Sequence, residues 1–329
     1  MLKCLLFFTT MLLSFGVLSG GVVYPGNPIV SDAAFFFVDR GVTRFDRENN
    51  RVAWHYPVNG RVFAPAVGEG LVVLAGEEGV YALDAGSGVL RWRLNTKGAF
   101  SPLIDGEAVY VAEASGTISA LGSAHGRLRW RRKLGIGWVY PPAVDGGLLI
   151  TGGQDGVIWA VGKHSGEIVW RNPVGQELVY SPIVLNDGVT LVNTFAGESI
   201  AVASKTGEIL WRTNLGVPGV DVSQLGELIL VVGMDNGIRA VDRNSGEAVW
   251  ERHFTARPRF PARLHREALI VLLDDGWYQW LDPSSGDPLG GGKTPVNLSG
   301  GALLSTREML VIREGRNETH SQPVIMDMR

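Results

Sequence analysis

A chain of 329 residues with 45% apolar content and 44 glycines has the makeup of a globular protein rich in turns. Its formal net charge of −3, with no block of like charges, gives no electrostatic footing for nucleic acid or an anionic membrane surface. A single cysteine, Cys4, rules out a disulfide framework.

The N-terminus reads as a targeting segment. Lys3 precedes an apolar run at residues 5–18, and the small residues Ser19, Gly20 and Gly21 follow. This is the pattern of a secretory signal peptide over residues 1–20, and the run is short for a membrane span. An uncleaved anchor is the alternative. Leu18-Ser19-Gly20 resembles a bacterial lipobox, but Gly21 stands where the lipidated cysteine would be, so export to the periplasm without a lipid anchor is expected. Cleavage would remove Cys4 and leave a mature chain, 21–329, with no thiol.

From residue 41 onward one phrase recurs: a glycine, a short apolar run, a polar turn ending in Ser/Thr-Gly, then tryptophan. It reads GVYALDAGSGVLRW from Gly79, GTISALGSAHGRLRW from Gly116 and GVIWAVGKHSGEIVW from Gly156. It continues as GESIAVASKTGEILW from Gly197 and GIRAVDRNSGEAVW from Gly237. A worn copy starts at Gly41, and another, GWYQWLDPSSGDPL, starts at Gly276. The anchors are Trp54, Trp92, Trp130, Trp170, Trp211 and Trp250, with Leu289 in the last copy, at steps of 38 to 41 residues. Such a period, filled with short strands, predicts a radial array of four-stranded sheets forming one domain.

The copy at residues 101–134 illustrates the unit. A short apolar strand ends at the turn Asp105-Gly106, and a second runs from Ala108 to the turn Ser115-Gly116. The third, from Thr117, alternates polar and apolar as a half-buried strand does, and the fourth carries Trp130. Turn dipeptides such as Asp155-Gly156 and Asn236-Gly237 are hairpin signals. The anchor rings are read as structural, glueing one blade to the next. Asp46, Asp84, Asp242 and Asp282 are read as acceptors for the turns that follow them.

Both ends contribute to the blade count. After Leu289, segments 301–305, 309–314 and 324–327 match the first three strands of a blade. At the other end residues 27–30 match a first strand, which leaves 22–24 as a spare fourth strand. The expected fold is an all-β, eight-bladed β-propeller of four-stranded antiparallel blades, its last blade closed by both termini.

The unit G-x-[VI]-x-A-[LV]-D-x-x-[ST]-G-x-x-x-W resembles the repeat of the quinoprotein-like (PQQ-like) propeller family across essentially the whole mature chain. Within that family the chain looks most like the propeller subunits of the outer-membrane β-barrel assembly machinery. That resemblance implies a monomeric envelope scaffold, peripheral to the outer membrane. Its partner would be the barrel-assembly subunit, and unfolded outer-membrane proteins are further candidates.

Enzymatic readings find little support. Quinoprotein dehydrogenases are longer, and no convergent carboxylate and amide set is assignable here to a metal-bound quinone, so no cofactor, metal or catalytic residue is expected. The six histidines are scattered without ligand spacing. One pattern exceeds what a scaffold needs. Phe63, Phe100, Tyr140, Tyr180 and Phe260 each lie just before the proline that opens a first strand. First strands line a propeller's axis, so these rings are expected at one mouth. The loops between strands two and three share that face and bring Glu113, Asp155 and Asp235, with Glu77, Glu78, Asp274 and Asp275. Rings with an acidic rim suit a protein or peptide partner. Two alternatives are that the rings merely plug the channel, and that the propeller binds or senses a small molecule.

Overall fold

The computed structural model describes residues 29–30, 34–38, 41–46, 48–49, 51–135, 137–185, 188–258, 263–265, 267–293, 298–303, 308–313 and 322–327. The leader (1–20), the spare strand at 22–24, Phe260 and His320 lie outside the described residues.

The chain folds as serial antiparallel sheets, with no α-helix among the described residues. Seven sheets are four-stranded meanders in which each strand pairs with the next in sequence. They occupy residues 29–57, 66–94, 103–133, 143–173, 183–214, 219–253 and 263–293, and are called here the first to seventh sheets. A three-stranded sheet of Leu298–Leu303, Glu308–Arg313 and Gln322–Asp327 follows. The arrangement is all-β and propeller-like.

Second and third strands are the buried ones, as their near-continuous apolar sequences require. In the third sheet Ala108–Glu113 is buried along its whole length, whereas the outer strand Leu128–Lys133 alternates exposed and half-buried residues. The core is correspondingly divided. Each buried cluster joins two neighbouring sheets: Val73, Trp92, Val109 and Leu121 unite the second and third, and Ile150, Leu178, Val192 and Ile200 the fourth and fifth. Packing is therefore between successive sheets, with no single central core among the described residues.

The repeated phrase is explained by that packing. The indole nitrogen of each anchor donates to a backbone carbonyl in the next sheet's turn. Trp92 reaches Ser123 at 2.6 Å, Trp130 reaches Lys163 at 3.0 Å, Trp170 reaches Ser204 at 2.9 Å, and Trp211 reaches Arg243 at 2.9 Å. Trp250 reaches Pro283 at 2.9 Å, and Trp54 spans Ala85 and Gly86. The ring lies on the glycine that closes the same turn. A Cβ on Gly207 would stand 2.5 Å from the Trp170 ring, and Gly207 has φ +74°, a conformation that disfavours any side chain. Tryptophan in one copy and Ser/Thr-Gly in the next are two halves of one joint.

In the second to sixth sheets the anchor faces a small residue on the third strand, whereas Trp54 in the first faces Arg44. Ala82, Ala120, Ala160, Ala201 and Ala240 pair with Trp92, Trp130, Trp170, Trp211 and Trp250. A register shift follows immediately, one extra residue on the outer strand that sharpens its twist. This register corrects the last anchor. In the seventh sheet Trp280 pairs with Gly290, and Leu281 with Pro288. Gly290 holds the anchor position, and Leu289 is the bulged residue, 60% exposed. The large ring has moved across the strand pair to Trp280.

The turns are closed by their aspartates. Asp84 Oδ1 accepts from the Ser87 amide and hydroxyl, both at 2.8 Å, and Asp84 Oδ2 pairs with Arg91 at 2.6 Å. Asp242 and Asp282 repeat the first part with Ser245 and Ser284. These bonds stabilise the charged carboxylate, so all three carboxyls sit below the ordinary value of 3.8.

Candidate mouth surface

In five sheets the chain enters the first strand by way of one bridge to the end of the second strand. Val62 bridges Gly76, Ala99 bridges Glu113, Val139 bridges Gly153 and Leu178 bridges Thr194. In three sheets the aromatic residue comes next, and its amide donates across. Phe63 N–H reaches Ala75 O at 2.9 Å, Phe100 reaches Ala112 at 2.9 Å, and Tyr140 reaches Gly152 at 2.8 Å. In the fifth sheet Val179 takes that place, donating to Asn193 O at 3.0 Å, and Tyr180 is displaced by one residue. A one-residue slip turns a side chain to the other face. Tyr140 is 6% exposed and Tyr180 37%.

The rings meet in pairs. Phe63 and Phe100 lie 5.4 Å apart, tilted by 58°. Tyr140 and Tyr180 stack with centroids 6.4 Å apart and planes 17° from parallel. Tyr140 is part of the core between the fourth and fifth sheets, and its hydroxyl donates to Leu178 O at 3.3 Å. It is the floor on which the exposed Tyr180 rests. Burial raises the phenol pKa of both tyrosines, so both stay neutral at physiological pH. The charges of Arg257 and Asp221, from the loop after the sixth sheet and from its first strand, also act on the Tyr180 hydroxyl, in opposite directions.

The acidic rim is smaller than the sequence suggests. Glu113 is 4% exposed, takes Arg131 at 2.6 Å and the Ser115 hydroxyl at 3.2 Å, and presents no carboxylate to a partner. Asp235 is held by both guanidinium nitrogens of Arg239, at 3.1 and 2.6 Å. The same Arg239 Nη2 lies 2.6 Å from Glu251, which His253 joins at 2.9 Å. Asp235, Glu251 and His253 approach closely enough for a metal, but the Arg239 guanidinium already sits between the two carboxylates and offsets one of their two charges. Asp155 is exposed; its carboxylate accepts the Val157 amide at 3.2 Å, and partial desolvation raises its pKa. Asp274 and Asp275 are exposed, and Asp275 caps the Trp277 amide at 3.1 Å.

Two residues at this end escape a reading of the repeat. Trp277 is 47% exposed, with Lys293 Nζ 5.7 Å from its ring centroid. It replaces the Thr117, Val157 or Glu198 of other copies, and that exception was its available signal. Arg257 lies in no repeated phrase, so only the fold brings it to Tyr180.

The sequence profile of the outer membrane protein assembly factor BamB matches residues 13–137, 114–268 and 154–308. The chain belongs to the BamB family. Among solved structures, BamB from Moraxella catarrhalis superimposes with a TM-score of 0.73 at 20% identity, over 90% of this chain and 96% of that one. The computationally designed Ika8 protein gives 0.76 at 11% identity, over 94% and 100%. The quinohemoprotein alcohol dehydrogenase ADHIIG from Pseudomonas putida HK5 gives 0.67 at 13% identity, over 92% and 71%. At these identities the three superpositions establish the fold that a BamB-family chain shares with them. A search of curated proteins finds no match.

Proposed function

We propose that this BamB-family chain is a non-enzymatic periplasmic scaffold in outer-membrane β-barrel assembly, binding the barrel-assembly subunit through its mouth. The observation that carries the reading is Tyr180. An exposed ring stacked on a buried one, with charges of both signs beside it, has the anatomy of an interface hot spot. Membership of a family described as assembly factors supplies the process. The dehydrogenase likeness is one of fold and brings no site residues with it. In this reading residues 1–20 direct export, residues 22–24 add the fourth strand of the last sheet, and the ring has eight blades.

The test is capture of the barrel-assembly subunit from envelope fractions by crosslinking. Tyr180→Ala is expected to weaken capture by about 2 kcal/mol, the scale of an interface hot spot, and to leave the melting temperature unchanged. Tyr140 is unsuitable for this test because it is core. A deletion strain with normal barrel levels, together with no crosslinked envelope partner, would reject the scaffold. A chromophore or metal retained through purification would point to a ligand-binding role.

A further inference from the structure

In four sheets the residue after the anchor covers the side chain opposite it on the third strand. His55 bonds Thr43 at 2.8 Å, and Arg239 meets Glu251 at 2.6 Å. Arg93 lies 4.9 Å from the Tyr81 ring centroid and Arg171 5.9 Å from that of Trp159. In the seventh sheet that place is Gly291, opposite Gln279. A Cβ on Gly291 would stand 2.4 Å from Tyr278 O, so no side chain can supply the cover. With Gly290 and Gly292 on either side, the outer strand leaves a notch in the rim beside the sixth sheet.

The notch is walled from both sheets. Trp277, Gln279 and Leu281 alternate onto one face of their strand. That face turns to the sixth sheet, because Leu281 and Val271, the cross-strand partner of Gln279, pack in one cluster with Trp250 and Phe254. Arg252 comes from the sixth sheet on the side of Trp250, its guanidinium carbon 5.9 Å from the Phe254 ring centroid. Arg132, equally placed after its own anchor, gives Nε to Gly166 O of the next sheet at 2.7 Å, and Asn172 and Thr213 bond the matching glycines. Arg252 Nε is buried and makes no such bond among the described residues, and Gln279 Oε1 is a buried acceptor without a donor. Orphaned polar atoms are rare in native interiors, and here a donor and an acceptor face one gap between two sheets.

The charges at the notch have one sign. Lys293 Nζ lies 5.7 Å from the ring centroid of the exposed Trp277, and neither Lys293 nor Arg252 has an ion pair among the described residues. Of the neighbouring carboxylates, Glu251 is held by Arg239 and His253, and Asp275 caps the Trp277 amide. We propose that the notch binds an acidic sugar, its ring stacked on the Trp277 indole and its carboxylate held between Arg252 and Lys293. The guanidinium fork fits a carboxylate, and the Gln279 amide serves a ring hydroxyl. The other large apolar side chains exposed on the sixth and seventh sheets, Val249 and Leu289, lie at the opposite ends of their strands. A lone indole among polar groups suits one flat, hydroxylated ring, whereas an extended peptide needs apolar contacts at alternate positions. Tyr180 takes no part, so this site and the mouth reading stand or fall separately.

The probe is trigalacturonate, with its methyl ester as the uncharged twin. In full-length protein labelled at its ten tryptophans, the indole N–H signal of Trp277, assigned with Trp277→Phe, is expected to move on titration with the acid. The acid should bind about tenfold more tightly than the ester, the scale of one hydrogen-bonded charge. Trp277→Ala, a change at an exposed site, should abolish binding with the melting curve intact. Arg252→Met and Lys293→Gln should each bring the acid down to the affinity of the ester, and Tyr180→Ala should leave both unchanged. Arg252→Met should not lower the melting temperature, because it removes a buried donor that has no acceptor. A lower melting temperature with unchanged binding would make Arg252 structural and overturn the proposal. So would a Trp277 signal that stays still, or equal affinity for acid and ester. A peptide of alternating glycine and aspartate that binds as tightly as the sugar would assign the notch to a polypeptide and overturn it. Inorganic phosphate that gives the same shift at the same concentration would leave an anion site without sugar recognition, and overturn it as well.

Discussion

Trp211 condenses the residue scale. Its ring is 8% exposed, covers Gly246 of the next sheet, and donates to Arg243 O at 2.9 Å. Trp211→Ala is expected to cost about 3–5 kcal/mol, as other large core truncations do. Trp211→Phe keeps a ring over the glycine but strands the carbonyl, and should cost about 1 kcal/mol from the hydrogen bond alone. Denaturant melts of the two variants separate ring burial from hydrogen bonding; equal losses would mean the ring is not what joins the sheets. The reciprocal change is Gly207→Ala. It places a methyl group against the Trp170 ring at φ +74°, for a loss of about 2–4 kcal/mol from strain and overpacking together.

Asp84 carries a pH dependence of known sign. Arg91 and the Ser87 amide and hydroxyl hold its folded carboxyl below the ordinary 3.8. A depressed folded pKa means the contribution is complete above 3.8 and is lost as pH falls through the folded value. Asp84→Asn should therefore destabilise at pH 7, and the difference from wild type should shrink toward zero in strong acid. A difference that is constant with pH would mean the carboxylate charge contributes nothing to the turn.

At the scale of elements, the strands and turns were legible because the repeat supplies several readings of each. The strand Thr117–Gly122 and the turn Asp155-Gly156 fall where the sequence sets them, but the polar–apolar alternation did not mark a half-buried strand: Thr117 and Ser119 are buried with their apolar neighbours. Leu289 reads as the last anchor because it is the apolar residue there, although the turn glycine stands four residues before the anchor in the regular copies and the same count from Gly286 gives Gly290. What was not legible was register. A slip of one residue before the fifth sheet separates Tyr180 from Tyr140, although both precede a proline by two positions. Period-two structure converts each such slip into a change of face, and no single sequence marks it. Glu113 was misread for a related reason. It ends the buried second strand and does not lie in the loop, and the Arg131 that neutralises it arrives from the outer strand, 18 residues on.

At the scale of the molecule, stability resides in joints between neighbours, so the proposed ring is expected to be sensitive at its seam. Each four-stranded sheet buries its inner strands against the sheets beside it. The last sheet has three described strands, with Gln322–Asp327 paired to Glu308–Arg313 along six residue pairs. Its proposed fourth strand comes from residues 22–24, and would pair with Gln322–Asp327. Deleting residues 323–329 removes that strand, so it destroys the pairing on one side and the template for closure on the other. Exposed strand edges of this kind favour intermolecular pairing. The truncated protein is expected to melt at lower temperature and to aggregate as concentration rises. Replacing residues 22–24 with glycine and serine should give a weaker version of the same defect, because only the closing strand is lost. Light scattering and thermal melts of both variants decide the matter. A truncated protein that stays monomeric with an unchanged melting temperature would show that the sheets hold without a closed seam, and the eight-bladed ring would have to be abandoned.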